Sequence, residues 1–425
     1  MRIFQILLVG VLCLYVASVN AQCPREQVIL DYNNIYLPAS FDLNELAWTG
    51  NISTCNKGTY ATSVNQKMLT KINYYRNLCD LNDDVVFSST LNSNCQEAAL
   101  MQEANNSLSH CTGTAGAPCN TWSCTTSNGI QASSSSNLAW GSWYSFDPID
   151  MYMQDAGAGN EAVGHRRWLL YSKAKTFGNG MTDNRNVLWV FGNGANAHAN
   201  SRPYIAYPPG DYIVQDLVYS RWSFGVPNAT FTNASVTMTD DNGNNIPVNI
   251  IYNLSTGFGN RSIVWEPSGV VTNDIVDREY HVTVNNIAGS TQSSYTYTVT
   301  IVPNVYPPNC ANGEVWNSTT CACVPNVNCP SNIAVNTGSI SGTYEANSLI
   351  TSNGQVQSGN TGTFESGDVI CLENGFVANQ NGNFNAFIIY NPCVNLNEPT
   401  PPSSFKTTNG DNISNVIKLA PPLVE

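Results

Sequence analysis

The chain has 425 residues, of which only 11% are charged, and its formal net charge is −13. Phosphate binding needs clustered Lys and Arg, so the composition argues against a nucleic-acid-binding protein. The length predicts two or three domains, and the acidic charge is expected to serve solubility.

Residues 1–21 read as a secretory signal peptide. Arg2 provides the positive start, residues 6–17 form an apolar core, and Ser18 and Ala21 give a small-residue cleavage pattern. The apolar run is too short for a comfortable membrane span, and no later segment is long enough. We therefore expect a secreted, extracellular protein with no membrane span; an uncleaved anchor is the alternative.

Asn-X-Ser/Thr sequons occur along the whole chain, at a density typical of a eukaryotic secreted glycoprotein. Chance occurrence in an Asn-rich chain is the alternative. The predicted glycosylation sites are Asn51, Asn105, Asn228, Asn233, Asn253, Asn260, Asn317 and Asn412.

Fourteen cysteines are present, and Cys13 would leave with the signal peptide. Secretion makes disulfide bonds the expected state of the others. Seven of them lie in the first third of the chain, so their odd count predicts one free or intermolecular thiol there. These seven are Cys23, Cys55, Cys79, Cys95, Cys111, Cys119 and Cys124, followed by the cluster Cys310, Cys321, Cys323 and Cys329 and by Cys371 and Cys393 near the end.

Residues 22–64 carry Pro and Gly and are predicted to be irregular, and helical periodicity begins after them. Three helices are predicted, the third starting at Asp147 as N-cap and Pro148 as first helical residue. A short apolar strand, 186–191, follows. The face of the first helix is Met68, Ile72, Tyr75 and Cys79, and that of the second is Cys95, Ala98, Ala99, Gln102 and Leu108.

Two histidine motifs carry a family resemblance. Leu108-Ser109-His110 ends one helical stretch, and the run 164–170 places His165 before Arg-Arg-Trp, shortly after Asp155 and Asn160-Glu161. Together they resemble the CAP superfamily of cysteine-rich secretory, antigen and pathogenesis-related proteins, in the microbial variety. The resemblance implies an α-β-α sandwich over residues 65–200.

The remainder of the chain is predicted to be β-rich. Alternating patterns over 201–303 indicate an immunoglobulin-like β-sandwich, as in many microbial CAP proteins. Residues 304–330 read as a Cys- and Pro-rich linker, and 331–393 as a small stacked β-turn module that Cys371 and Cys393 are placed to close. Residues 394–425 are predicted to be disordered. The fold class is therefore α+β.

The CAP resemblance implies a cleft with two histidines and two acidic residues. His110 and His165 match the histidines, and Asp155 is the better match for the second acid, with Glu161 as its rival. The first acid would precede Asn-Leu, but here Ser136 stands before Asn137-Leu138. Zinc is conceivable on His110 and His165, since imidazole is a good zinc ligand; a structural or vestigial cleft is the alternative and the favoured interpretation.

Other side chains beside these motifs have two interpretations each. Arg166 and Arg167 suit an anionic ligand, but an internal ion pair with Asp155 or Glu161 is favoured. The aromatic residues Trp140, Trp143 and Tyr144 suit either an apolar groove or the core.

The favoured function is a secreted, non-enzymatic CAP glycoprotein that binds a small apolar ligand, such as a sterol or fatty acid, or an extracellular protein. An extracellular matrix or cell-wall adhesion protein, with a glycan or protein partner, and a metal-dependent hydrolase are the alternatives. The sequence contains no zincin, nucleophile-elbow, phosphate-loop or dinucleotide motif, so nothing outside the resemblance names a reaction or a certain cofactor.

Overall fold

The chain divides into two compact units in the computed structural model: Pro24–Pro308, and Met1–Cys23 together with Asn309–Glu425. The predicted signal peptide lies outside the described residues, and the predicted domain boundaries within each unit stay predictions. The structure describes residues 23–112, 118–141, 143, 147–192, 203–254, 258–305, 310, 314–317, 321–325, 332–335, 338–346, 348–366, 369–372, 376–379, 381–388, 404–408 and 416–417.

The first half of the larger unit is an α-β-α sandwich. Its central sheet has the order β1-β3-β4-β2. The strands are β1 (Val86–Phe87), β2 (Ser136–Trp140), β3 (Thr176–Met181) and β4 (Arg185–Trp189). The main helices are α3 (Thr62–Leu78), α4 (Ser89–Ala104), α5 (Ser127–Ser134), α6 (Pro148–Gln154) and α7 (Gly164–Leu169).

The side chains of β4 alternate between the two helical layers that cover the sheet. Val187 and Trp189 belong to the apolar cluster that contains residues of α4 and α5. Leu188 faces the other way, into the larger core that contains residues of α3 and α6. Since successive side chains of a strand point to opposite faces, one short strand serves both layers.

The predicted helices all form. The faces predicted for α3 and α4 are buried, and Asp147 caps α6 by accepting a hydrogen bond from the Ile149 N–H at 2.8 Å. Leu108 is the exception, because α4 ends at Ala104 and the Leu108 side chain is exposed. The predicted strand 186–191 corresponds to β4.

Two glycines of β3 let α4 lie unusually close to the sheet. A Cβ atom at Gly178 would stand 2.4 Å from the Cβ of Leu91, and one at Gly180 would stand 2.2 Å from the backbone of Cys95. Any larger residue would therefore push α4 away from the sheet.

The segment before α3 is more regular than predicted. Instead of an irregular chain, it contains α1 (Pro24–Asp31), a π-helical turn (Tyr32–Tyr36), a 3-10 turn (Leu37–Ala39) and α2 (Leu43–Leu46). Pro24 stands at the first helical position, where its missing N–H costs nothing. Pro24 and Pro38 therefore lie in the first residues of helical elements, whereas Gly50 and Gly58 lie between α2 and α3, where residues 47–61 form no helix.

The second half of the larger unit is the predicted immunoglobulin-like sandwich of two sheets, with the orders β10-β11-β7-β5 and β6-β13-β12-β8-β9. Its inward-facing residues include Trp222, Phe224 and Trp265. The strands are β5 (Ile205–Tyr207), β6 (Asp211–Val214), β7 (Trp222–Gly225), β8 (Ser235–Asp240), β9 (Asn245–Ile246), β10 (Val248–Tyr252), β11 (Ser262–Pro267), β12 (Arg278–Asn285) and β13 (Tyr295–Val302).

The smaller unit begins with a hairpin of β14 (Glu314–Asn317) and β15 (Ala322–Pro325), which lies within the predicted linker. The stacked module follows as a parallel β-solenoid, in which strands of successive coils pair in parallel around a core that includes Ile350, Phe364 and Phe384. Its strands are β16 (Asn332–Val335), β17 (Gly342–Ala346), β18 (Leu349–Ser352), β19 (Gln355–Val356), β20 (Thr361–Ser366), β21 (Val369–Leu372), β22 (Val377–Ala378) and β23 (Asn383–Ile388).

The prediction of disorder for residues 394–425 is wrong for two short segments. Strand β24 (Ser404–Thr408) pairs with β23, and β25 (Val416–Ile417) pairs with β21. Unpaired strand edges of the solenoid offer backbone hydrogen bonds, and even a Pro- and Asn-rich chain can take them up. The rest of this segment lies outside the described residues.

Among the described residues, one of the four disulfides, Cys23–Cys321, joins two of the groups in which the cysteines occur, and the other three lie within a group. The pairs are Cys23–Cys321, Cys55–Cys124, Cys111–Cys119 and Cys310–Cys323. Because Cys23 pairs outside the first group, that group retains two buried thiols, Cys79 and Cys95, instead of the one predicted. Cys371 is a partly exposed thiol, and Cys393, its expected partner, lies outside the described residues.

Within the described part of the chain, no helix combines the length and apolar character needed to cross a membrane.

Candidate functional site

Asp155 is the centre of the site. It follows α6 with φ 50° and ψ 46°, a left-handed conformation that Asp tolerates better than most residues. Its side chain is fully buried. One carboxylate oxygen accepts the Nδ1–H of His165 at 2.8 Å, and the other accepts the His165 backbone N–H at 2.9 Å. The carboxylate therefore fixes both the ring and the helix start that carries it.

His165 stands in the first turn of α7. The chain enters this helix through Val163, whose φ of 42° is a strained conformation for a β-branched residue. The imidazole stacks on the Tyr152 ring with centroids 5.4 Å apart. Because Nδ1 donates to Asp155, the neutral ring presents Nε2 as an acceptor, and a quarter of the side chain is exposed.

His110 is the exposed histidine of the site. Its Nδ1 lies 3.1 Å from the carbonyl oxygen of Ser133, at the end of α5. A carbonyl only accepts, so Nδ1 carries the proton and Nε2 again is the acceptor of the neutral ring. The two imidazoles thus have the same tautomer, each set by an oxygen of the protein.

Strand β2 links the two histidines. It begins just after Ser133, and the side-chain amide of Asn137 donates to the carbonyl oxygen of His165 at 3.1 Å. Ser136 points to the opposite face, where its buried hydroxyl lies beside the Cys95 thiol and has no well-formed hydrogen bond among the residues described. The structure therefore places Asn137 in the site and turns Ser136 away from it.

Glu161 does not join the histidines. Its carboxylate accepts the Gly159 N–H at 3.1 Å and so closes the loop between α6 and α7. The pKa of Glu161 is lowered by hydrogen bonds from its own backbone N–H and from that of Gly159, with a smaller effect from Arg221. Of the two rival acids, Asp155 is the one that contacts His165.

The side chains described do not make a zinc site. They include no group of three or more His, Cys, Asp or Glu that could hold a metal ion. Both oxygens of Asp155 are already engaged by His165, and Ser136 faces away, which leaves the two imidazoles. Zinc sites in proteins need at least three protein ligands, so the two imidazoles alone do not form a zinc site.

The predicted ion pair of Arg166 or Arg167 with Asp155 or Glu161 is wrong. The Arg166 guanidinium is fully buried and donates to the carbonyl oxygens of Met153 at 2.5 Å and Arg221 at 2.7 Å. Arg167 donates to the carbonyl oxygen of Asn260 at 2.9 and 3.0 Å. Helix ends and loops leave such carbonyls without partners, and the arginines supply the donors.

Arg221, on the β-sandwich side, is a site residue that the sequence did not reveal. It donates to the carbonyl oxygen of Asp155 at 2.5 Å and to that of Gly157 at 2.9 Å. Arg166, which donates to the carbonyl oxygen of Arg221, is the partner of this residue from the other half of the unit. Burial lowers the pKa of the Arg166 guanidinium, which lies 4.8 Å from the centre of the Tyr207 ring. The loop that carries Asp155 is therefore held by residues from both halves of the unit.

Aromatic rings continue the surface beyond His165. Trp168 packs on the exposed Phe191 ring with centroids 4.7 Å apart. Of the three aromatics predicted to line a groove or the core, Trp143 is buried and Trp140 is exposed, stacked over Arg185 at 3.8 Å. Tyr144 lies outside the described residues.

A three-layer α-β-α fold whose paired histidine motifs lie at one end of its sheet defines a CAP-type domain. Residues 69–192 match the model of the cysteine-rich secretory protein family, CAP. The chain therefore contains a CAP domain, and the resemblance carried by its histidine motifs is confirmed. Searches of curated proteins and of solved structures found no match to this chain.

Proposed function

We propose that this chain is a secreted CAP glycoprotein that holds a small apolar ligand, such as a sterol or fatty acid, or the apolar surface of a protein partner, beside His110 and His165. The observation that carries the proposal is the aromatic pair formed by Trp168, three residues after His165 on α7, and the exposed ring of Phe191.

The placement of the pair follows from the backbone. Trp168 comes three residues after His165, so the two side chains lie on the same face of α7. The N–H of Phe191 bonds to the carbonyl oxygen of Ser135 at 3.3 Å, two residues after the Ser133 that holds His110. The backbone of Phe191 is therefore bonded two residues from the carbonyl group that His110 contacts.

The polar groups of the site suit one end of an amphipathic molecule. Nε2 of an imidazole accepts the hydroxyl of a sterol when the ring is neutral and donates to the carboxylate of a fatty acid when the ring is protonated. Covering an exposed Phe ring removes apolar surface from water and favours binding by about 25 cal/mol per Å². One polar end and an adjacent aromatic surface are the two features that such a ligand needs.

The test is ligand uptake by delipidated protein from a panel of sterols and fatty acids. We expect Trp168→Ala to abolish uptake. The matched control is Trp140→Ala, which also removes one tryptophan but at the far end of β2, and it should leave uptake unchanged. Uptake that both variants retain, or no uptake from the panel by the unaltered protein, would contradict the proposal.

Secretion and glycosylation belong to the same proposal. Four disulfides of the described residues support an oxidising compartment. The mature protein is expected in the medium, with its N-terminus at residue 22 and with glycans that an endoglycosidase removes. N-terminal sequencing of protein recovered from the medium checks the first point directly.

A further inference from the structure

One lysine of the CAP domain is buried together with two carboxylates. Lys71 of α3 is only 1% exposed. Its Nζ lies 2.7 Å from an oxygen of Asp150 and 3.2 Å from an oxygen of Asp147, both at the start of α6. Lysine is almost never fully buried unless it is paired, but one carboxylate is enough to pair it. The cluster therefore contains one carboxylate more than an ion pair requires.

Asp150 is the acid whose two oxygens are both held by donors. Its Oδ2 accepts a hydrogen bond from Lys71 Nζ at 2.7 Å, and its Oδ1 accepts one from the Tyr75 hydroxyl, also at 2.7 Å. A donor on a carbonyl oxygen stabilises the negative charge that develops there when a nucleophile adds to the carbon. Asp150 is therefore a carboxyl group that is polarised at one oxygen and held against an amine at the other.

Asp147 has a different environment. Its Oδ1 accepts the Ile149 N–H at 2.8 Å, as the cap of α6. Its Oδ2 is buried and makes no well-formed hydrogen bond in the part of the chain described, although Lys71 Nζ lies 3.2 Å away. Burial raises the pKa of Asp147 to about 6. A carboxyl group with such a pKa can accept a proton from a neighbouring amine and pass it on near neutral pH.

The surroundings of Nζ favour loss of its charge. The Tyr36 ring lies 4.4 Å from Nζ, and Tyr75 is fully buried beside it. Burial alone would lower the pKa of Lys71, but the charges of Asp147 and Asp150 outweigh it and raise that pKa. The amine therefore begins as an ammonium ion between two carboxylates. Buried charges are costly even when they are paired, so a reaction that removes one positive and one negative charge relieves that cost.

We propose that Lys71 and Asp150 form an intramolecular amide bond, with Asp147 as the group that carries the protons. Nζ of Lys71 bonds to Cγ of Asp150, and the bond from Cγ to Oδ2 breaks. Two of the three ammonium protons pass through Asp147 to this Oδ2, which leaves as water, and the third stays on the amide nitrogen. Asp147 ends as it began, and the charges of Lys71 and Asp150 cancel. The reaction needs no oxidant and no second reactant.

The fold supplies what makes such a bond form. Holding an amine and a carboxyl group in contact converts a reaction between two molecules into one within a single molecule, at a very high effective concentration. A quarter of the Asp150 side chain is exposed, so the water has a way out. The bond would join α3 to α6 across 79 residues and restrict the unfolded chain as a disulfide does. This modification does not depend on the proposed function of the histidine cleft.

Tryptic mapping of the full secreted chain by mass spectrometry, after reduction, alkylation and denaturation, tests the proposal. Trypsin does not cleave after an acylated lysine, so we expect peptide 68–76 to stay whole and to be joined to peptide 77–166. Their combined mass should be lower by one water molecule, and fragmentation should place the branch on Asp150. The same digest contains a matched control: Lys67 lies 2.6 Å from the Glu45 carboxylate, but both side chains are partly exposed, and trypsin should cleave after it.

Two variants test the roles of the acids. Asp147→Asn keeps an oxygen for the helix cap but cannot carry the protons, so the linked fraction measured at intervals after synthesis should grow about a hundredfold more slowly. Asp150→Ala should give no branched peptide. The unaltered protein decides whether the bond exists, even if a variant fails to fold. Complete cleavage after Lys71 in the unaltered protein would overturn the proposal, as would a branch on Asp147 or equally fast linkage in Asp147→Asn.

Discussion

Replacing Arg166 by Met tests the idea that carbonyl capping, and not an ion pair, makes this arginine necessary. The guanidinium donates to the carbonyl oxygens of Met153 at 2.5 Å, Arg221 at 2.7 Å and Gln154 at 3.3 Å. Met occupies a similar volume and donates nothing, so three carbonyl oxygens lose a donor.

The expected magnitude follows from two opposing effects. Each buried carbonyl that loses its donor costs about 1–3 kcal/mol. Removal of a buried cation returns part of that cost, because burial disfavours the charged form, as the lowered pKa of Arg166 shows. We expect Arg166→Met to lower the free energy of unfolding by about 3 kcal/mol.

Urea unfolding followed by tryptophan fluorescence measures this change. The matched control is Arg261→Met, since Arg261 is exposed and makes one long bond, to the Ala229 carbonyl oxygen at 3.4 Å. That variant should lose less than about 0.5 kcal/mol. If Arg166→Met loses no more than the control does, the cost of burying the cation outweighs the capping and the reasoning is refuted.

Three further outcomes are expected. Burial raises the pKa of Asp147 from 3.8 to about 6, even though Lys71 lies 3.2 Å away. The folded state therefore holds this proton more tightly than the unfolded chain, so the contribution of Asp147 to stability is greatest below pH 3.8 and falls as the pH rises through about 6. Asp147→Asn keeps the helix cap without titrating, and a stability difference between the two proteins that stays constant across this range would contradict the assignment. At the sequons, Asn105 uses its side-chain amide for the carbonyl oxygens of Met101 at 2.7 Å and Ser123 at 3.0 Å, whereas Asn51 is exposed. Peptide mapping after enzymatic deglycosylation in heavy-oxygen water should label Asn51 and not Asn105, and a labelled Asn105 would show that the folded chain gives up both bonds. Burial raises the pKa of the Cys95 thiol to about 12, so iodoacetamide at neutral pH should alkylate it only after denaturation; labelling in the native protein would mean that α4 opens.

The helices and strands of the larger unit were largely predictable, because each buries one face. The face Met68, Ile72 and Tyr75 of α3 repeats at helical spacing, and all three side chains are buried. The cap at Asp147 was readable because its partner is two residues away. Helical periodicity and a helix cap both depend on residues that are close in sequence, so they can be recognised without knowledge of the tertiary fold.

The arginine partners and the cysteine pairs were not predictable, since both depend on contacts between distant residues. Arg166 bonds to a carbonyl 55 residues away, and no residue type marks a backbone carbonyl that lacks a donor. Cys23 pairs with Cys321, so counting cysteines within one part of the chain misjudged the thiols. Ser136 is a related case, because only the register of β2 shows that it faces Cys95.

The hydrogen bonds made by Arg166 and Arg221 link the CAP layers to the β-sandwich, so we expect the two to be inherited together. Arg166 donates to the carbonyl oxygen of Arg221, and Arg221 donates to that of Asp155, whose carboxylate orients His165. Recombination at the predicted border between residues 200 and 201 would separate donors from their acceptors. A chimera that joined this CAP domain to a foreign sandwich would have to bring an arginine to the same place, or its histidine would lose its orientation.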